Sequence, residues 1–366
     1  MKKNSKKQTE KTETQVSKIK RTVGIDLGDK YARYAVLEDG NDFIEQDRLP
    51  MTKAAFGSRF GHWKPARMAI EAGTHARWVS ELLRAMGHEV IVANPRELKA
   101  LTQSAHKSDG EDARKLARYA RADVGLLKPV QLRSEATQLE LLKLQTRDAL
   151  VRSRAQLTTT VRGWTKAFGA NIRQCTTQGF ALRAEQELPE ALRCTLQPVL
   201  DVIALLTELI KKADRQVEKM VAEHPVAARL DGVAGVGVVT AMAFVLTIED
   251  PGQYRSSRDV GAGLGLTPRK DQSGDSDPQL GITKQGNGLL RRLLVQCAQQ
   301  LLGPRGRDCA IRQWGLKLAG EGKNKRLKKR AVVAVARKLA VVMHRLWITG
   351  EQFVAFPQGQ PAKVAA

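Results

Sequence analysis

The chain has 366 residues, with 61 Lys and Arg against 38 Asp and Glu, a formal net charge of +23 and a hydrophobic fraction of 42%. That length suggests two or three domains, and the apolar content suffices for real cores, which excludes a disordered basic tail. The charge excess points to a polyanion bound with steep salt dependence: nucleic acid, ahead of a ribosome-associated role or a basic enzyme for acidic metabolites.

In chain order, residues 1–21 are polar and lysine-rich and read as a flexible basic arm. Residues 22–130 read as an α/β domain with a mixed sheet. Strands are expected at Val23–Gly28, Tyr31–Glu38, Arg67–Glu71 and Glu89–Ala93, with helices at Ala76–Met86 and Asp112–Tyr119. Residues 131–225 change period. Thr137 and Glu140 have the form of a capping box, and Leu139, Leu142, Ala149, Leu157, Val161, Trp164 and Phe168 follow at helical spacing. Ile203, Ile210 and Val217 alternate with Leu206, Ala213 and Met220 as heptad positions. Two such helices, with a tip around Gly179 and Pro189, suggest a long antiparallel coiled-coil-like hairpin, although an ordinary bundle face fits the pattern equally. Residues 226–350 read as a mostly helical C-terminal domain. It contains the apolar helix Val238–Thr247, a polar loop over Asp271–Gln279 and helices at Leu289–Leu302 and Lys328–Trp347; residues 351–366 form a tail.

No apolar run spans a bilayer, since Val238–Ile248 is about half the needed length. The start (Lys2, Lys3, Lys6, Lys7) does not lead into a signal peptide, so a soluble cytoplasmic protein with no membrane partner is expected. Cys175, Cys194, Cys297 and Cys309 form no C-x-x-C pair, the histidines never fall as H-x-x-x-H, and no P-loop occurs. Zinc ribbons, redox pairs and P-loop ATPases are thereby excluded.

Asp26 lies inside an apolar strand, where an ionised carboxylate is costly unless paired or bound to a cation. Glu71 ends another apolar strand, and Asp109 and Asp112 lie three apart at a helix start. Converging carboxylates would call for Mg2+ or Mn2+, which suits phosphodiester displacement. Read singly, Asp109 and Asp112 also fit helix-start acids favoured by the macrodipole. Gly235-x-Gly237 before a helix resembles a helix-hairpin-helix element that holds DNA backbone, or presents N–H groups to phosphate. Ser273, beside Arg269 and Lys270, could attack phosphorus or could simply make a turn with Gly274. Lys284, Arg291 and Arg292 near one helix start, and Lys325, Arg326, Lys328, Lys329 and Arg330 at another, are candidate nucleic-acid contacts.

These residues occur in an order that resembles insertion-sequence family 110/1111 transposases. Gly24-Ile25-Asp26, Ile70-Glu71-Ala72-Gly73 and Lys107 through Arg114 resemble the RuvC-like DEDD domain. Gly232–Gly237 with Thr240-Ala241, Gly265–Arg269 with Ser273-Gly274, and Leu280–Asn287 with Leu290-Arg291 resemble its C-terminal motifs. The resemblance runs from about Thr22 to Trp347. It implies a RuvC/ribonuclease H-like domain, the helical hairpin and a C-terminal transposase domain. It also implies Asp26, Glu71, Asp109 and Asp112 as a metal-binding catalytic tetrad and Ser273 as a nucleophile forming a phosphoserine link. As partners it implies double-stranded donor and target DNA, a bridge RNA that pairs with both, and a homo-oligomer, dimer or tetramer, whose active site combines one subunit's tetrad with another's serine. Gln272 replaces the family's first serine, and Asp275 and Ser276 replace a glycine and lysine, which makes Ser276 the second candidate nucleophile. Competing readings are a junction-resolving nuclease using activated water and a non-catalytic nucleic-acid scaffold.

Overall fold

The computed structural model describes residues 20–38, 42–95, 109–274, 276, 278, 280–320 and 324–357, with the backbone alone at position 109. Two compact units divide between Leu132 and Arg133.

The first unit is built on a five-stranded sheet of order β3-β2-β1-β4-β5. Its strands are β1 (Thr22–Leu27), β2 (Tyr31–Leu37), β3 (Phe43–Pro50), β4 (Arg67–Glu71) and β5 (Glu89–Ala93). β1 runs antiparallel to β2 and parallel to β4, β2 pairs antiparallel with β3, and β4 runs parallel to β5. Alternation sorts the two faces. Val23, Ile25, Tyr34, Val36, Met68 and Ile70 face helices α1 (Lys53–Phe60) and α2 (Ala76–Ala85) through Phe56, Phe60, Val79 and Leu83. Ala69, Ile91 and Ala93 face the other way, against Leu116 and Ala120 of α3 (Asp109–Ala122). The expected mixed sheet is therefore present. β3 and α1 are additions to the expectation: β3 reads F-I-E-Q-D-R-L-P and buries only Leu49, so an edge strand lacks the alternation that marks its neighbours.

In the second unit, α4 (Glu135–Ala167) and α6 (Glu190–Glu223) form the hairpin. Arg147 pairs with Asp214, and Arg154 donates to Thr207 Oγ1 at 3.2 Å, which fixes the antiparallel register. Ser134, not Thr137, caps α4, accepting from the Thr137 N–H at 3.2 Å. Ile203, Ile210, Val217 and Met220 are buried as expected. On α4 the buried stripe is Leu141, Leu144, Arg154, Thr158, Val161 and Thr165, whereas Leu139, Leu142, Trp164 and Phe168 stay exposed. Val161, with Leu157 packed beside it, faces inward as expected, but the rest of the inward face is partly polar, so apolar spacing also selects the exposed Leu139, Leu142 and Trp164. A short helix, α5 (Phe180–Glu187), occupies the expected tip loop and packs Phe180 and Ala184 on Leu196 and Leu200.

The hairpin base shares one core with α7 (Pro225–Asp231), α8 (Val238–Ile248), α9 (Val260–Gly263), α10 (Gly288–Leu302), α11 (Ala310–Ala319) and α12 (Lys325–Thr349). α8 is buried from Thr240 to Ile248, which explains its apolar run as a core helix. No helix of the described residues is long and apolar enough to cross a membrane. Gly232–Gly237 form the turn between α7 and α8, where the helix-hairpin-helix-like element is expected; Gly235 sits at φ +82°, where a Cβ would lie 3.1 Å from Leu301 Cβ. α11 is a further addition. Its buried Gly315 seats α11 on α12, since a Cβ there would stand 2.5 Å from Val335 Cγ2.

Two buried histidines give the fold a pH dependence. His88 accepts from the Ala66 N–H at 3.2 Å and donates to Phe60 O at 3.1 Å; His344 donates to Pro251 O and accepts from Ser257 Oγ, both at 3.0 Å. Burial lowers both pKa values from the ordinary histidine range. Each ring is satisfied as a neutral tautomer, so the unfolded chain binds protons first. Stability is full above a pH of about 6.5 and is lost as pH falls toward the depressed folded values. The melting temperature should drop by a few degrees between about pH 7 and pH 5; a flat profile would contradict this wiring.

Candidate active site

Gly24 governs how α3 meets the sheet. A Cβ there would lie 2.0 Å from Ala113 O and 2.4 Å from Ala117 N, so the α3 backbone rests directly on β1. Its direction follows from two contacts near its C-terminal end: Arg121 donates to Lys20 O at 3.2 Å and Arg67 donates to Ala120 O at 3.1 Å. That end therefore lies over the starts of β1 and β4, and the first turn of α3 reaches toward the ends of these strands. Asp26 and Glu71 are at those ends. Asp26 shares a face with Gly24, and Glu71 with Ala69, so both carboxylates lie on the α3 side. They sit side by side, one residue beyond the parallel Ile25–Ile70 pairing, and both are half-buried. Asp112 is half-buried in the first turn, one residue before the Ala113 seat.

The structure thus sets Asp26 and Glu71 on adjacent strands of the face that α3 covers, and does not bring Asp112 into one group with them. Among the described residues, no three His, Cys, Asp or Glu side chains form a group that could hold a metal. The Asp109 side chain and residues 96–108 lie outside the described residues. The donor set is all carboxylate oxygen, which suits a hard cation such as Mg2+ or Mn2+ and not zinc.

Ser273 occupies the tip of a ribbon in the second unit. Thr283 N–H donates to Thr267 O at 2.9 Å, Arg269 N–H donates to Gly281 O at 3.0 Å, and Pro268 bridges Ile282. At the tip, Ser273 and Ser276 exchange backbone bonds of 3.1 and 3.0 Å around Gly274, which sits at φ +55°. Directly opposed residues of an antiparallel pair present their side chains to the same side, so Ser273 and Ser276 form one exposed hydroxyl pair. The ribbon base is fixed by Gly265 at φ +67°, where a Cβ would meet Gln285 N at 2.1 Å.

The candidate cations divide by role. Arg291 donates to Leu264 O and Gln285 O at 3.1 and 2.5 Å and so holds the ribbon's return, while Arg292 pairs with Asp148 of α4 at 2.6 Å. Lys284 adopts φ +56° on the return strand. Arg269 and Lys270 are exposed on the ribbon, as are Lys325, Arg326, Lys328, Lys329 and Arg330 on the first turns of α12. A groove of about 1170 Å³ lies between ribbon, α11 and α12, with an apolar floor and cations from both sides. Arg337 and Lys338 also line it, and Lys338 Nζ lies 4.4 Å from the Trp314 ring centroid. Neither was singled out from sequence, although Arg326, Arg330 and Arg337 recur at helical spacing.

The α12 cations crowd a helix N-terminus that has no acidic residue in its first turn. The macrodipole disfavours positive charge there, so this arrangement costs stability unless a polyanion offsets it. Lys328→Gln with Lys329→Gln should raise the melting temperature slightly while lowering the salt slope of DNA binding by about two. Paired melting and binding titrations check this; a lower melting temperature with unchanged binding would contradict it.

Residues 23–166 match a family model described as "Transposase", of the DEDD type, and residues 227–309 match "Transposase IS116/IS110/IS902 family". The chain is 29% identical over 288 residues to the transposase for insertion sequence element IS1328 of Yersinia enterocolitica, covering 76% of this chain and 82% of that protein. It is 27% identical over 343 residues to the transposase for insertion sequence element IS1111A of Coxiella burnetii, covering 90% of each.

Proposed function

Because the chain belongs to the IS116/IS110/IS902 family of insertion-sequence transposases, we propose that it cuts and rejoins DNA through its carboxylates and a covalent phosphoserine. As a DNA transposase it acts on DNA, and the DEDD domain implies dependence on a divalent metal. The mixed sheet is consistent with a RuvC-like DEDD domain. The observation that supports the reading is the placement of Asp26 and Glu71 on adjacent strands, on the face that α3 covers.

Asp26, Glu71, Asp109 and Asp112 would hold Mg2+ or Mn2+, which when bound neutralises charge on the phosphodiester and its leaving oxygen. The Ser273 hydroxyl attacks the phosphorus. One Ser Oγ–P bond forms, one P–O bond to the sugar breaks, and the serine proton ends on the leaving sugar hydroxyl. Rejoining reverses this with a different sugar hydroxyl, so no external energy source is required. Arg269 and Lys270, on the same ribbon, would stabilise the developing phosphorane charge. The tetrad of one subunit would work with the serine of another. Exposed Leu139, Leu142, Trp164, Phe168, Val202 and Leu205 on the hairpin give a homo-oligomer an apolar surface to bury.

The net charge of +23 supports a polyanionic partner of either kind, and the RNA partner follows from the family resemblance. A bridge RNA pairing with both DNAs would carry the sequence information, leaving the protein to grip backbone, and the site of action would be the nucleoid in the cytoplasm. Sequencing the RNA that co-purifies with the protein tests this. The expected result is one structured species encoded beside the chain's own gene, complementary in two segments to donor and target. A mixture of ribosomal and transfer RNA fragments would contradict the RNA-guided part alone.

A further inference from the structure

The strand register sets up a charge row that the carboxylate assignment does not use. Asp26 on β1 is directly opposite Arg33 on β2, and Arg33 is directly opposite Arg48 on β3. With Glu71 beside Asp26, four neighbouring strands present Glu71, Asp26, Arg33 and Arg48 in a line across one face, two negative charges followed by two positive. Directly opposed side chains in antiparallel pairs share a face. Arg33 and Arg48 are both exposed. Arg33 thus stands between the Asp26 carboxylate on one side and the Arg48 guanidinium on the other.

The two arginines open onto a polar pocket of about 340 Å³, lined by Arg33, Tyr34, Gln46, Asp47, Arg48 and Gly110. Gly110 belongs to the first turn of α3, whose N–H end carries positive partial charge. The Arg48 guanidinium lies 5.0 Å from the centroid of the Tyr31 ring, which is itself 49% exposed. Arg114 bonds Gln46 at 3.3 Å and Glu111 at 2.6 Å, adding a cation at the rim whose charge Glu111 offsets.

We infer that Arg33 and Arg48 form a phosphodiester-binding pocket that grips the DNA strand being cut, one phosphate away from the phosphate held at the carboxylates. This rests on the reading of Asp26 and Glu71 as the cleavage site. Strand spacing places Arg33 about 5 Å and Arg48 about 10 Å from Asp26 across the sheet, beside the reacting phosphorus and not on it. A planar guanidinium fork matches two phosphate oxygens, and two forks on adjacent strands hold a backbone phosphate in a defined orientation. The pocket therefore fixes which bond of the strand lies over the carboxylates.

The test uses the full chain with its co-purified RNA and a duplex carrying the end of its own element. Arg33→Gln with Arg48→Gln should lower the salt slope of binding by about two and weaken affinity at moderate salt at least about tenfold. Arg84→Gln, on the α2 layer of the opposite face, should leave both at the parental value. A second measurement does not depend on variant folding: methylphosphonates are placed singly along the cut strand. With the parental protein, neutralising the phosphate next to the cut should weaken binding, and the double glutamine variant should not respond to it. Arg33→Lys with Arg48→Lys should keep the salt slope but lose accuracy of the cut position. Inorganic phosphate at millimolar concentration should not compete, because the pocket is shaped for a strand; full competition by phosphate would overturn the DNA assignment. A parental salt slope and parental methylphosphonate response in the glutamine variant would overturn the inference, while Asp26→Asn remains inactive. Cleavage by Asp26→Asn would instead overturn the reading on which it rests.

Discussion

Ser273→Ala should abolish the covalent protein–DNA adduct and lower recombination by about 10⁴-fold or more, in line with the loss of a catalytic nucleophile. DNA and RNA binding should remain at parental levels. The hydroxyl is exposed at the ribbon tip, and the turn is held by backbone bonds between Ser273 and Ser276 that alanine preserves. Ser276→Ala should keep the adduct and cost less than about tenfold, because its hydroxyl stands beside the attacking one without replacing it. Gel analysis under denaturing conditions reads both outcomes. Cleavage with protein-free ends in Ser273→Ala would favour the junction-resolving nuclease, in which water is the nucleophile.

Asp26→Asn should remove strand cleavage by at least about 10³-fold while leaving the melting temperature close to parental and DNA binding intact or tighter. Losing one negative charge beside a polyanion does not weaken its capture, so tight binding without cleavage separates chemistry from binding. Calorimetric affinity for Mn2+ should fall at least about tenfold. Gly24→Ala, two residues earlier on the same face, should behave in the opposite way. Its Cβ would overlap the α3 backbone at Ala113, so the melting temperature should fall sharply. If Asp26→Asn cleaved at the parental rate, the assignment of the carboxylates to cleavage would be wrong.

The parts of the fold that were legible in sequence are those whose burial repeats with a fixed period. β1, β4 and β5 read as apolar runs because both their faces are covered, and Ile203, Ile210 and Val217 kept the heptad because α6 buries a continuous stripe. β3 escaped because an edge strand exposes most of its residues, and α11 because its buried positions are Ile311, Gly315 and Ala319, two of them too small to register as apolar. On α4 the apolar pattern finds Leu157 and Val161 but not the rest of the inward face, because Arg154, Thr158 and Thr165 carry no weight in an apolar pattern. For the site, Asp26 announced itself as a carboxylate inside an apolar strand. Its neighbour Glu71 could be joined to it only by the parallel register of β1 and β4. Arg33 and Arg48 gave no sequence signal at all, since charge on an exposed strand is ordinary until three strands are laid side by side.

The most direct measurement is to trap the reaction with DNA, denature it, digest protein and DNA, and identify the modified peptide by mass spectrometry. The account predicts a nucleotide joined through a phosphodiester to Ser273, within the peptide containing Gly274 and Ser276. DNA cut with no modified peptide, or a nucleotide on any other side chain, would contradict it.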